Sequence, residues 1–194
     1  MKIEIMLTVA AYLLGSVPTG LLLAKAAGVD IRSSGSGNIG ATNVYRTLGR
    51  GVGVLTLVGD CLKGLVPVLA AKYFGMTDTW IAVIGLAAFL GHVYTVFLGF
   101  KGGKGVATAL GVFLGISPLS VGGALLIFVA VVWKWRYISL GSITAAAAMP
   151  GFVAVADSRP ELVIMTVVVA AFVILKHKEN IKRLREGTEN KFKA

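Results

Sequence analysis

The sequence is poor in the residues that build disulfide-linked, metal-binding and highly charged domains. It contains one cysteine, Cys61, and two distant histidines, His92 and His177, among 194 residues. A single cysteine excludes an internal disulfide, and the histidine spacing predicts no metal site. Only 14% of the residues are charged, against about 25% in typical soluble domains. This low charge excludes an ordinary soluble domain.

Apolar residues and glycine take the place of the missing charges. Hydrophobic residues make up 56% of the chain, glycine occupies 25 positions, and the mean hydropathy is +0.84. Because glycine is common where helices pack closely in lipid, this composition predicts an all-α, polytopic integral membrane protein. The candidate spans are seven apolar stretches, at residues 3–27, 52–74, 80–99, 106–115, 119–132, 138–156 and 162–175.

Two of these stretches are short for a membrane crossing. As a helix, residues 106–115 rise only about 15 Å, half of the ~30 Å hydrocarbon thickness. The sequence therefore predicts about seven transmembrane helices, five long plus two short, and five spans with a re-entrant pair remain an alternative. The first stretch exceeds the apolar region of a signal peptide, so we expect a retained first helix. We find no internal repeat and expect one membrane-embedded domain over residues 1–194.

The basic residues are distributed unevenly over the connections between the spans. The formal net charge is +10. One predicted face holds fifteen basic residues, Lys193 among them, whereas the other holds Lys2, Lys72 and Arg159. By the positive-inside rule, the basic face and the carboxyl terminus are cytoplasmic and the amino terminus is outside. This distribution indicates membrane lipids, and no nucleic acid, as partners of the positive charge.

The first predicted cytoplasmic connection is rich in groups that bind oxyanions. Glycine lets backbone N–H groups converge on an anion, polar side chains donate further hydrogen bonds, and arginine can bind phosphate with two. A flexible glycine and serine linker is the alternative, but it needs neither two asparagines nor an arginine. The candidate ligands are Ser34, Gly35, Ser36, Gly37, Asn38, Gly40, Thr42, Asn43 and Arg46.

A second glycine-rich segment leads directly into an apolar helix. Its candidate residues are Gly102, Gly103, Lys104 and Gly105. The start of a helix presents unpaired N–H groups and the positive end of the dipole, and Lys104 adds a full charge, so we predict phosphate binding. The segment is no Walker A loop, because Leu98 stands at the place of its first glycine. A tight turn with lysines that extend to the membrane surface is the alternative.

Further polar residues lie at the ends of spans or within them. Helical spacing puts His177 and Asn180 on one face of a basic carboxyl-terminal helix, and a helix that merely lies on anionic lipid would not explain them. Ser139 and Ser142 are candidates for the same pocket, with helix packing as the alternative. Asp60 and Lys63 are expected to pair with each other, with catalysis as the alternative. His92 is expected to orient a polar group or to bond to a neighbouring hydroxyl.

Three segments carry a resemblance to a known family. They are Ser36-Gly37-Asn38-Ile39-Gly40-Ala41-Thr42-Asn43 with Arg46; Gly102-Gly103-Lys104-Gly105-Val106-Ala107-Thr108; and His177 with Asn180-Ile181, Arg183-Leu184, Gly187 and Glu189. In this order they resemble the bacterial acyl-phosphate-dependent glycerol-3-phosphate acyltransferases, an integral membrane family. Tyr94-Thr95 departs from the Phe-Pro of many relatives.

The resemblance implies transfer of a fatty acyl group from acyl phosphate to the 1-hydroxyl of sn-glycerol 3-phosphate. The products would be 1-acylglycerol 3-phosphate (lysophosphatidate) and phosphate, in the first step of phospholipid synthesis. We expect the active site on the cytoplasmic side of the bacterial inner membrane, without a cofactor or metal, and a monomer is compatible with the sequence. The predicted catalytic residues are Ser36, Arg46, Lys104, His177 and Asn180, with Ser142, His92 and the two loops binding the substrates.

Two alternatives from other classes remain. A transporter for a phosphorylated small molecule would also use short spans and helix starts that face an anion, but its expected inverted repeat is missing. A non-catalytic membrane scaffold predicts that Arg46 and Lys104 can be replaced without loss of function. Neither alternative explains why three segments of one family occur in order.

Overall fold

The computed structural model describes residues 1–192, and this part of the chain is helical without strands. Lys193, one of the basic residues counted above, lies outside the described residues. A 3₁₀ turn, Val96–Leu98, follows the fifth α-helix. The α-helices are α1 (Lys2–Ser16), α2 (Thr19–Ala26), α3 (Ala41–Leu48), α4 (Arg50–Tyr73), α5 (Asp78–Val93), α6 (Val106–Ile116), α7 (Pro118–Trp135), α8 (Ile138–Ala156), α9 (Pro160–Lys176) and α10 (Lys178–Arg185).

All seven predicted apolar stretches form helices, which confirms the all-α membrane fold. Within residues 1–192, five helical segments are long and apolar enough to cross a membrane, and a sixth is added if α9 and α10 count as one span bent by 56°. The short helix α6 has 11 residues, as its apolar stretch predicts. The orientation of the chain ends stays a prediction. The five segments are Lys2–Ala26, Arg50–Tyr73, Asp78–Leu98, Pro118–Trp135 and Ile138–Ala156.

The first predicted span is not one continuous helix. Helix α1 ends at Ser16, Val17 is extended with φ −60° and ψ 117°, and α2 begins at Thr19. Pro18 explains the break, because it has no N–H to donate and its ring disfavours helical geometry at the preceding residue. The expectation of a single first helix is therefore wrong in this respect.

Residues 1–115 form one compact unit, which contains the first five helices and nearly all of α6. Helix α5 packs against α1 and α4, and α3 packs against α4. Glycines allow two of the helix pairs to approach closely. A Cβ on Gly15 or Gly91 would overlap a backbone carbonyl across the α1–α5 contact, and one on Gly64 or Gly111 would do so across α4–α6. Such contacts between backbones are typical of membrane helices.

Residues from 116 onward form a second compact unit. Helix α8 packs against both α7 and α9, and α10 contacts α8 and α9. After α10 the chain returns to the connection between α7 and α8, where the N–H of Phe192 donates to the carbonyl oxygen of Arg136 at 2.6 Å. This return places Glu189 beside α8 and α10. The expectation of a single domain over residues 1–194 stays a prediction.

Candidate active site

The first glycine-rich loop is organised around the side chain of Asn43. Its Nδ2 donates to the carbonyl oxygens of Ile31 (3.3 Å), Ser34 (3.0 Å) and Asn38 (2.9 Å). Its Oδ1 accepts the N–H of Ser36 at 2.8 Å, and the residue is only 2% exposed. These contacts support a role for Asn43 in shaping the loop rather than in binding phosphate directly.

Other polar groups of this loop also bond within it. The N–H of Gly37 donates to the carbonyl oxygen of Ser34 at 3.0 Å, and the N–H of Gly40 donates to Oδ1 of Asn38 at 2.9 Å. Gly37 has φ +68°, a left-handed backbone that favours glycine. The side chains of Ser36 and Arg46, by contrast, are exposed. Ser36 in the loop and Arg46 on α3 are predicted catalytic residues, and both lie at the surface.

The second glycine-rich loop lies against the last turn of α5. The N–H groups of Gly102 and Gly103 donate to the carbonyl oxygens of Val93 (3.2 Å) and His92 (3.1 Å). A Cβ on Gly103 would overlap Nε2 of His92. Both glycines thus serve the packing of the loop, and their N–H groups are bonded within the fold rather than directed at an anion. The ring of His92 packs against the backbone of Gly103 and supports the loop there.

The start of α6 presents the backbone groups suited to an anion. The carbonyl oxygen of Gly105 accepts the N–H of Ala109 at 2.7 Å, the first bond of the helix. By helix geometry, the N–H groups of residues 106–108 have no partner within α6. The half-buried Lys104 directly precedes this turn. The helix dipole and the lysine charge together favour a phosphate here.

Arg32 links the two glycine-rich loops, although its sequence position marked it only as a basic residue. Its Nη2 donates to the carbonyl oxygen of Lys101 at 2.9 Å. Both loops belong to the first unit, and this bond brings them next to each other. No local sequence signal indicates Arg32, because the contact joins positions that are 69 residues apart.

In the second unit, Glu189 joins three polar side chains. Its Oε1 accepts the hydroxyl of Ser139 at 2.8 Å and Nδ2 of Asn180 at 2.7 Å, and its Oε2 accepts Nε of Arg183 at 2.7 Å. Burial acts to raise the pKa of Glu189, but hydrogen bonds from Asn180, Ser139 and Arg183 and the charge of Arg183 hold this pKa below its ordinary value. A charged Glu189 therefore orients Asn180, one of the predicted catalytic residues.

His177 lies at the bend between α9 and α10, and its ring is 3% exposed. Its Nδ1 is 2.7 Å from the carbonyl oxygen of Val173. Because a carbonyl oxygen only accepts, Nδ1 carries the hydrogen, and Nε2 of the neutral ring has the lone pair. This nitrogen can accept a proton or a hydrogen bond from a hydroxyl group.

The hydroxyl of Ser142 bonds within its own helix, and its role in the site stays a prediction. Ser142 is 5% exposed, and its Oγ donates to the carbonyl oxygen of Ile138 at 2.9 Å within α8. Within residues 1–192, no group of three or more His, Cys, Asp and Glu side chains is arranged to hold a metal ion.

The Asn43→Asp variant tests the architecture of the first loop. Aspartate keeps an acceptor for the N–H of Ser36 but lacks the two N–H donors that the three carbonyl oxygens share, and each lost donor costs about 1–3 kcal/mol. We expect a lower melting temperature and faster trypsin cleavage after Arg46. Asn38→Asp is the matched control, because its Oδ1 only accepts in the described contact with Gly40. Equal protease resistance of the two variants would contradict this role.

Acidification tests the charge state of Glu189. Since its pKa is lower in the folded protein than the ordinary 4.5, the stabilisation by the carboxylate is complete above pH 4.5 and is lost as the pH falls below that value. Melting temperatures in detergent should therefore separate wild type from Glu189→Gln above pH 4.5 and converge below it. A difference that does not change with pH would contradict a charged Glu189.

Comparisons with known proteins agree on one family. Residues 5–187 match the family model described as glycerol-3-phosphate acyltransferase. Proteins of that name are 73% identical in Geobacter sulfurreducens, with 98% of each chain covered, and 49% identical in Aquifex aeolicus, with 96% of this chain and 97% of the relative covered. A third, in Geobacter metallireducens, is 78% identical over the full length of both chains.

Two crystal structures have the same fold as this chain. Both are of PlsY (YgiH), an integral membrane glycerol 3-phosphate acyltransferase, and both are 46% identical to this chain. Its glycerol 3-phosphate form has a TM-score of 0.94 and covers 98% of this chain and 96% of that chain. Its lysophosphatidic acid form has a TM-score of 0.91, with 98% and 95% covered.

Proposed function

Because this chain belongs to the glycerol-3-phosphate acyltransferase family, we propose that its acyl donor is acyl phosphate and that its products are 1-acylglycerol 3-phosphate and inorganic phosphate. This reaction is the first step of phospholipid synthesis, and we place it at the cytoplasmic side of the bacterial inner membrane. The glycerol 3-phosphate and lysophosphatidic acid forms of the similar crystal structures support this substrate and product.

The presence of two basic glycine-rich loops in one unit carries the proposal. Glycerol 3-phosphate accounts for one phosphate site, and a donor with a phosphate on its acyl group accounts for the other. The bond from Arg32 to the carbonyl oxygen of Lys101 holds the loops side by side. We assign glycerol 3-phosphate to Lys104 and the start of α6, and the donor phosphate to the first loop with Ser36 and Arg46.

The proposed acyl transfer requires the protein mainly to position the substrates and to stabilise developing charge. The 1-hydroxyl oxygen attacks the carbonyl carbon of the acyl phosphate and forms an ester bond. The bond between the carbonyl carbon and the phosphate oxygen breaks, and its electron pair leaves with the phosphate. Because the donor is a mixed anhydride, it is already activated, and no covalent enzyme intermediate is required. The protein positions the hydroxyl and stabilises negative charge on the carbonyl oxygen.

The hydroxyl proton has two possible acceptors. Nε2 of His177 carries a lone pair and can take the proton, with Asn180 orienting the hydroxyl from its place beside Glu189. A substrate phosphate can also accept the proton, and His177 then only orients the hydroxyl.

The His177→Ala variant separates these versions. We expect turnover to fall by about 100-fold or more, because a positioned base or orienting group is lost. The pH dependence of kcat distinguishes the two: loss of one ionisation indicates the base, whereas an unchanged profile with slow turnover indicates orientation only. Near-normal turnover would exclude His177 from both roles.

Phosphate release by the purified protein in lipid tests the proposed reaction. With palmitoyl phosphate, release should require glycerol 3-phosphate and yield lysophosphatidate, and palmitoyl-CoA should not replace the donor. We expect Lys104→Ala to lower turnover by about 100-fold or more, since it removes a charge at the phosphate site. The exposed Lys101 of the same loop provides the matched control, Lys101→Ala, for which we expect turnover close to wild type.

Three other outcomes would contradict the proposal. Equal turnover with palmitoyl-CoA would show that the acyl donor is assigned wrongly. Uptake of glycerol 3-phosphate into liposomes without phosphate release would support the transporter alternative. Full activity of Lys104→Ala would remove this residue from the site.

A further inference from the structure

A buried charged pair lies within α4, and the proposed reaction does not use it. Asp60 and Lys63 are one helical turn apart, and Nζ of Lys63 is 2.8 Å from Oδ1 of Asp60. Neither side chain is more than 5% exposed. Isolated charges at membrane depth are costly, so each group stabilises the other in its charged form. The predicted pairing of these residues is confirmed, but pairing alone does not explain why two charges lie here.

Lys63 also caps the broken first span. Its Nζ donates to the carbonyl oxygen of Val17 at 2.7 Å. Val17 directly follows the last residue of α1, where Pro18 prevents the helix from continuing. A cation at the carboxyl end of a helix satisfies a carbonyl that has lost its helical partner and interacts favourably with the dipole. The charged pair therefore holds the end of α1 against α4.

His92 connects the charged pair to the second glycine-rich loop. Its Nδ1 lies 3.7 Å from Oδ1 of Asp60, and the residue is 4% exposed. At the opposite edge of the ring, the backbone of Gly103 packs so closely that a Cβ would overlap Nε2. The N–H of Gly103 also donates to the carbonyl oxygen of His92. One side chain thus contacts both the buried charge and the loop.

The ends of α1 and α5 complete this support. The hydroxyl of Thr95 donates to the carbonyl oxygen of Ser16 at 2.6 Å, which joins the end of α5 to the end of α1. One turn before His92, the ring of Phe89 lies so close to Gly105 that a Cβ there would overlap it. The second glycine-rich loop therefore packs against the end of α5, and His92 connects the end of α5 to the charged pair.

We propose that Asp60, Lys63 and His92 are positioning residues, which hold the second glycine-rich loop in the conformation that binds the phosphate of glycerol 3-phosphate. This inference rests on the proposed function, which assigns that phosphate to the start of α6. The negative charge nearest to Nδ1 of His92 belongs to Asp60, and it favours the tautomer with hydrogen on Nδ1. Nε2 then faces the backbone of Gly103.

Removal of the ring tests this role by direct binding of radiolabelled glycerol 3-phosphate to the purified protein in lipid, without an acyl donor. We expect His92→Ala to raise the Kd about ten-fold, because the loop beneath the ligand loses its support. The amide of His92→Gln reaches the position of Nε2 and should recover most of the affinity. Thr56→Val is the matched control, because Thr56 is buried on α4 and bonds only to Val52 in the described contacts.

Removal of both charges tests the roles of Asp60 and Lys63. Asp60→Asn alone would leave Lys63 unpaired and can prevent folding for that reason. We therefore choose the double variant Asp60→Leu/Lys63→Met, which removes both charges. We expect it to fold, as measured by its melting temperature, and to bind glycerol 3-phosphate about ten-fold more weakly.

Steady-state kinetics separate positioning from general stability. In His92→Ala, the KM for glycerol 3-phosphate should rise by roughly ten-fold, whereas kcat and the KM for palmitoyl phosphate should stay within about two-fold. A merely structural role would lower the active fraction and leave the KM for glycerol 3-phosphate unchanged. That result, or wild-type affinity of the folded double variant, overturns the proposal. A wild-type protein that fails to bind glycerol 3-phosphate instead contradicts the proposed function, and this assignment with it.

Discussion

Replacement of Glu189 by alanine should destabilise the second unit strongly enough to abolish its folding. The substitution leaves Ser139, Asn180 and Arg183 without the carboxylate that accepts from all three. Removing one partner of a buried ion pair costs about 3–5 kcal/mol, and water offsets part of this cost at the partly exposed Arg183. The unpaired donors add about 1–3 kcal/mol each, which together approaches the ~5–15 kcal/mol stability of a typical domain.

Two milder variants make the Glu189 prediction specific. Glu189→Gln keeps an acceptor but loses the charge, so it should still fold, with a melting temperature below that of wild type, whereas Glu189→Ala should show no cooperative unfolding transition. Glu186→Gln is the matched control, because this exposed residue lies 4.0 Å from Lys182 in a weak surface pair. Thermal unfolding of all three variants in detergent provides the measurement. A folded, active Glu189→Ala protein would show that the three donors find other acceptors.

Alanine at Gly111 should separate α6 from α4. A Cβ there would overlap the carbonyl oxygen of Cys61, and Gly64 meets the backbone of α6 in the same way from the other helix. Backbone atoms cannot rotate aside as a side chain can, so we expect destabilisation of about 3 kcal/mol or more. Because α6 begins at the proposed phosphate site, activity should fall together with stability.

Gly122→Ala is the matched control for Gly111→Ala. Gly122 is exposed on α7, and no atom lies within 4 Å of the position of its Cβ. Alanine has the higher helix propensity, so this variant should be neutral or more stable by up to about 1 kcal/mol. Thermal unfolding in detergent and phosphate release should be measured for both variants. Equal stability of the two would mean that α4 and α6 are farther apart than the structure places them.

Composition and periodicity predicted the helices but not their internal breaks. Apolar stretches of sufficient length must satisfy their backbone groups internally in lipid, so all seven are helical, the first of them as the two helices α1 and α2. The break at Pro18 was not predicted, because the apolar runs before Gly15 and after Gly20 continue the hydrophobic pattern of the stretch. Its stabilisation by Lys63 joins positions 46 residues apart, which no local pattern indicates.

The candidate site shows the same division between residue type and residue role. Glycine, serine, asparagine and basic residues were enough to predict two anion-binding loops. In the structure, Lys104 directly precedes the first turn of α6, whose N–H groups have no partner within the helix. The structure gives Asn43, Gly102 and Gly103 internal hydrogen bonds, because a loop must first satisfy its own polar groups before others can face a ligand.

Hydropathy, charge distribution and the three motif segments therefore establish a helical membrane acyltransferase of this family, since these properties follow from residues close together in the chain. Tertiary structure decided which polar groups support the site and which remain available to a ligand. Contacts between different helices and loops position five side chains: Glu189, Arg32, Asp60, Lys63 and His92. Such contacts depend on how the chain packs in three dimensions, and one sequence does not reveal which distant side chains will meet.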